Sequence, residues 1–179
     1  MKKRIWIINT IGIFLLSFVF HFIYNLFPNN LTAIFFPVNE SIWEHVKMLF
    51  TANILWEIFE YLILKKYNIQ TNNFFLSLFS KSFFNLILLL VIYLPVYYAI
   101  GENMVITIIT LFLSIAFSQY LLKNIIFLKE LKNLNILSLM LIPICFLIFG
   151  YLTYNPIKSD LFYDHNEGKY GISTLPTDS

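Results

Sequence analysis

An all-α, polytopic membrane bundle of about five helices follows from three features of this sequence. The chain has 179 residues, 59% of them hydrophobic and 12% charged, with a mean hydropathy of +0.73; a soluble domain carries about 25% charged residues. Apolar runs of about 20 residues, the length that crosses roughly 30 Å of hydrocarbon as a helix, recur five times. The basic residues gather in alternate connections, the asymmetry that orients membrane proteins.

The first segment, 5–27, follows Lys2-Lys3-Arg4. It is too long for the apolar region of a cleaved signal peptide, and no small-x-small cleavage site follows it, so it reads as an uncleaved signal anchor. The second, 42–64, opens on Ser41-Ile42-Trp43-Glu44, the Ser-x-x-Glu pattern of a capping box before an apolar run. It is polar along its length, so it should face other helices or a water-filled cleft. The third and fourth, 80–100 and 103–128, are joined by a short hairpin at Glu102-Asn103, and Pro95 and Pro143 read as ordinary kinks in spans. The fifth, 134–154, holds the single Cys145, which excludes an intrachain disulfide. Residues 155–179 form a polar tail. There is no internal repeat, and an odd number of spans argues against an inverted-repeat transporter.

Orientation follows from charge. Lys2, Lys3 and Arg4, then Lys65, Lys66 and Lys81, then Lys123, Lys129 and Lys132 all lie on one side if the N-terminus is cytoplasmic. The opposite connections, 28–41 and 101–102, carry no basic residue. The expectation is a multi-pass protein of the cell membrane, N-terminus in and C-terminus out.

Depth then selects candidate sites. At about 1.5 Å per residue, His21 lies roughly 24 Å along the first span, in the layer where the second begins with Glu44, His45 and Lys47. An outer polar site is expected from His21, Asn39, Glu40, Glu44, His45 and Lys47. Helical angles put Glu40, Glu44, Lys47 and Thr51 on one face, with His45 about a quarter-turn away. An inner polar site is expected from Asn53, Glu57 and Glu60, with Asn85 and Gln119 within reach on other spans. Near a helix C-terminus acids oppose the macrodipole, so Glu57 and Glu60 either snorkel toward Lys65, Lys66 or Arg4 or form a proton or cation site. Asp164 and His165, in an Asp-His-Asn-Glu-Gly turn with a faint likeness to a calcium loop, share the outer surface.

Three functions fit this pattern. One is binding or transport of a small polar molecule or lipid headgroup. Another is a zinc-type membrane hydrolase at the outer leaflet, with ligands from His21, His45 and a carboxylate of Glu44, Glu40 or Asp164, a second carboxylate as base and Lys47 opposite an oxyanion. A third is an assembly protein whose polar residues lock helices together, with a homo-oligomer or another membrane protein as partner. A divalent metal belongs only to the second. No nucleic-acid partner is expected.

The run Pro37-Val38-Asn39-Glu40-Ser41-Ile42-Trp43-Glu44-His45-Val46-Lys47 resembles the hallmark of a domain-of-unknown-function family of small bacterial membrane proteins. Thr153-Tyr154-Asn155-Pro156, Leu161-Phe162, Asp164 and Lys169-Tyr170-Gly171-Ile172 resemble that family's C-terminal signature. The resemblance implies a multi-span membrane protein and supplies no activity.

Overall fold

In the computed structural model, residues 4–172 are described; Lys2, Lys3 and the last part of the expected tail lie outside them. Seven α-helices follow in order: α1 (Ile5–His21), α2 (Ile23–Leu26), α3 (Asn30–Phe35), α4 (Ile42–Lys66), α5 (Phe74–Ile100), α6 (Met104–Leu122) and α7 (Lys132–Tyr154). Short 3₁₀ turns occupy Ile125–Phe127 and Asp160–Phe162, and the strands β1 (Tyr163–Asp164) and β2 (Lys169–Tyr170) close an antiparallel hairpin.

Among the described residues, four stretches are long and apolar enough to cross a membrane: Ile5–Leu26, Phe74–Ile100, Met104–Phe127 and Lys132–Tyr154. α4, at 25 residues, has the length as well, but it carries Glu44, Lys47, Glu57 and Glu60, all buried. The surface of the apolar helices exposes Leu15, Val19, Val91 and Leu147, a distribution suited to lipid rather than to water.

α1, α4, α5 and α6 pack as a closed ring, each against two of the others, while α7 lies outside against α5 and α3. The polar side of α4 is thereby turned inward, while Leu55, Phe59 and Leu62 on its other face are exposed. The helix joins the core through Val46, Leu49, Phe50 and Ala52, with Ile13 of α1, Leu86 and Leu89 of α5 and Ile115 of α6. Ser17, Ser82 and Ser114 return their hydroxyls to carbonyls of their own helices. Small residues with self-satisfied hydroxyls allow the close approach on which helix packing in lipid depends.

Element boundaries differ from the sequence reading where polar side chains have partners. α3 forms within the expected 28–41 connection because Asn29 accepts from the Leu31 and Thr32 N–H groups, and Thr32 returns a bond to the Asn29 N–H. α5 starts at Phe74 rather than 80, which carries Lys81 off the loop and into the interior.

Gly12 seats the indole of Trp56: a Cβ at position 12 would overlap the six-membered ring. Trp56 in turn donates its Nε1–H to Asn9 Oδ1 at 3.1 Å. Gly12→Val is expected to destabilise the protein by about 1–3 kcal/mol through overpacking, measured as a lower midpoint of thermal unfolding in detergent. A midpoint unchanged from wild type would show that the indole has another place to go.

Candidate functional site

The residues from Pro37 to Lys47 together build one end of the bundle. Ser41 caps α4, its hydroxyl accepting from the Glu44 N–H at 3.4 Å. The reciprocal half of the expected capping box is absent: the Ser41 N–H goes to Asn39 Oδ1, and Glu44 Oε2 accepts from the Val38 N–H. Asn39 donates to the Gly171 carbonyl at 3.0 Å, and the Glu40 N–H donates to Asp164 Oδ2 at 3.0 Å. The hairpin after α7 is thus tied across the mouth of α4. Trp43 closes the junction, its ring 4.8 Å from Phe162 and 5.3 Å from Phe149.

Glu44 and Lys47 face away from this mouth. They form a buried pair at 2.5 Å, one turn apart on α4. Lys47 Nζ also donates to the Ala33 carbonyl at 2.7 Å and to Thr153 Oγ1 at 2.8 Å, and the Thr153 hydroxyl donates to Glu44 Oε1 at 2.9 Å. Thr51, one turn further, donates to the Phe35 carbonyl. Glu44, Lys47 and Thr51 do share a face, and it fastens α4 to α3 and α7. Glu40 does not belong to it: it precedes the helix, where α-helical angles no longer apply.

Glu40 instead lies between two imidazoles. Its carboxylate is 3.3 Å from His21 Nε2 and 3.6 Å from His45 Nε2, and the rings are 5.3 Å apart. The ligand atoms of His21, Glu40 and His45 all fall within 4.8 Å of one another. The tautomer of His45 follows from its other nitrogen. Nδ1 lies 2.9 Å from the Ser41 carbonyl, which can only accept, so Nδ1 carries the hydrogen. A neutral His45 then points its Nε2 lone pair at a carboxylate. Two acceptors face to face require a cation between them, either a proton or a metal ion. An imidazole that gives its second N–H to a backbone carbonyl is also the usual arrangement around a metal-ligating histidine. The His21 hydrogen bond, opposed by partial burial and aided by His45, holds Glu40 below the ordinary glutamate value of 4.5.

These three residues line a cavity of about 350 Å³ between α1, α4, α5 and α6. Its deeper walls are apolar, with Phe18, Met48, Leu89 and Leu111; its mouth is polar, with Tyr163 and His165 from the tail and Glu102 from the α5–α6 connection. His165 Nε2 pairs with Asp160 at 2.7 Å on the same rim. Glu44 and Asp164, expected as further ligands, are engaged elsewhere. Asp164 is fully buried and spends Oδ1 on the Asn166 and Glu167 N–H groups, which also accounts for the calcium-loop likeness of that turn as a hydrogen-bonded bend.

A second cluster lies lower on α4. Glu57 and Glu60 do not snorkel to Lys65, Lys66 or Arg4; both are buried and bind Lys81 Nζ of α5, at 2.8 and 3.2 Å. Gln119 of α6 donates to Glu57 Oε1, and Asn9 of α1 donates to Glu60 Oε2 at 2.7 Å. Asn53 and Asn85 are fully buried, and Asn53 donates to the carbonyl of Leu49 on its own helix. Lys81 escaped the sequence reading because it was assigned to a connection. The spacing of Ser77, Lys81 and Asn85 at four-residue intervals marks one helical face and carries the signal that α5 has a polar stripe. Asn9 stands alone in an apolar run and gave no such signal.

The sequence model of a family of unknown function, DUF6512, matches residues 1–172. No curated protein and no solved structure matches the chain.

Proposed function

We propose, for a chain that belongs to the family of unknown function DUF6512, the binding of an amphipathic molecule at a divalent-metal site formed by His21, Glu40 and His45. The observation that carries this reading is the His45 Nδ1–H bond to the Ser41 carbonyl, which leaves an imidazole lone pair aimed at a carboxylate beside a second imidazole. Two histidines and one carboxylate suit zinc with one position left open. The cavity supports an amphipathic occupant, since apolar walls lead up to the polar cluster. A lipid acyl chain would fill the former and its headgroup would meet the metal.

The setting is an outer-leaflet site in a five-span protein with its N-terminus in the cytoplasm of a bacterial cell. Arg4, Lys65, Lys66, Lys123 and Lys132 fall at the end of the bundle opposite the cavity, as positive-inside orientation requires. Counting α4 as a span is supported by its length and by its ion pairs, which turn Glu44, Lys47, Glu57 and Glu60 inward away from lipid. A second reading, metal-assisted hydrolysis, is favoured by the Asp160–His165 pair on the same rim, a pairing suited to general acid–base work beside a metal-bound water. Lys47 has no part in it, because its ammonium is turned away from the cavity.

The test is elemental analysis of purified protein, with zinc titration of the metal-stripped form. Wild type is expected to bind one equivalent; Glu40→Gln and His45→Ala are expected to lose at least tenfold in affinity while Glu44→Gln retains it. A folded wild type that takes up no zinc, manganese or iron would end the metal reading. Affinity should fall as pH drops through the histidine range, since ligating imidazoles must be unprotonated. Glu40 adds nothing to that loss: with its pKa lowered, its charge is present above 4.5 and goes only below it.

A further inference from the structure

We propose that Glu57 and Glu60 share one proton at neutral pH, so that α4 carries a buried proton-binding site independent of any metal at the cavity. Two observations converge. Glu57 and Glu60 bring two carboxyl groups to one ammonium, Lys81 Nζ, through their Oε2 atoms at 2.8 and 3.2 Å, and two carboxylates sharing one site favour a proton on one of them. The remaining oxygen, Glu60 Oε1, is buried with no donor, a place where an ionised carboxylate would leave charge unmatched and a neutral acid would not.

The balance of charge around them agrees. The side chains bonded to the pair are Asn9 of α1, Lys81 of α5 and Gln119 of α6. Of these only Lys81 is charged, so two ionised carboxylates would leave a net charge of −1 in a dry interior. One proton makes the cluster neutral. A metal ion is a poor substitute, because the Lys81 ammonium already binds both carboxylates and Gln119 already donates to Glu57 Oε1. The orphaned amide of Asn85 and the free Oδ1 of Asn53 extend the polar region along the α4–α5 contact. In antiparallel packing, one turn toward the cavity on α4 is one turn onward on α5, which sets Asn53 against Asn85 just above Glu57 and Lys81. Proton occupancy and the cavity histidine His45 then share one rigid element, about 20 Å apart along it.

Infrared spectroscopy of the full chain in lipid at neutral pH tests this. Wild type is expected to show the C=O stretch of a protonated carboxylic acid, shifted when the glutamate carboxyl carbon is isotopically labelled. In Glu57→Gln and in Glu60→Gln the single remaining carboxylate pairs with Lys81, so the band should vanish from both. No band in the wild type, a band insensitive to glutamate labelling, or a band surviving in either variant overturns the proposal. The wild-type and labelling results decide the matter even if a variant fails to fold.

Discussion

Lys47→Met is expected to lower the unfolding free energy by about 3–5 kcal/mol, the cost of leaving one member of a buried ion pair without the other. The ammonium is fully enclosed and has three partners, Glu44, the Ala33 carbonyl and the Thr153 hydroxyl. Methionine fills the aliphatic volume and supplies none of the three hydrogen bonds. The Glu44 carboxylate would then keep only the Val38 N–H and the Thr153 hydroxyl. Combining Lys47→Met with Glu44→Gln removes the stranded charge and should recover at least half of the loss. Thermal or denaturant unfolding in detergent measures both; a single variant as stable as the wild type would mean the pair contributes only geometry.

Lys81→Met should be about as damaging, for a different reason. It leaves the two buried carboxyl groups with only the Asn9 and Gln119 amides bonded to them. They must then take up a second proton or open the α4–α5 contact. A loss of about 3–5 kcal/mol is expected at neutral pH, shrinking as pH falls because protonation removes the unpaired buried charge. Adding Glu57→Gln to Lys81→Met should recover much of it. If the single variant were equally stable at neutral and acidic pH, Lys81 would not be acting as a counter-charge.

How far these features were legible in the sequence depended on whether their partners lay on the same helix. Glu44 and Lys47 could be paired from spacing alone, since i and i+3 adjoin on any helix. The rise per residue put His21 and His45 at one depth, and their rings lie 5.3 Å apart. Glu40 was misplaced because the helical angle was extended past Ser41, where the chain is extended rather than helical. Four helices were legible as spans because lipid-facing surface needs unbroken apolarity. α4 reads differently because its polarity is spent inward, on α3, α5 and α7, and composition alone cannot say which way a side chain turns. Lys81 reads as a connection cation because a charge at the edge of an apolar run marks an interface, although Phe74-Phe75-Leu76-Ser77-Leu78-Phe79 just before it is apolar except for Ser77 and carries the helix past it.

Tying Glu40 and Asn39 to the hairpin has a consequence for biosynthesis. The bonds that hold this carboxylate's backbone in place reach Asp164 and Gly171, across 124 and 132 residues. A ribosome delivers α1 and the mouth of α4 early, and their two histidines can approach as soon as both helices are inserted. Their shared acid is clamped only when the residues after α7 have been made and have folded back over it. A chain stalled before that point would leave the His–Glu–His cluster unbraced, so the residues after α7 must be made before Glu40 is clamped.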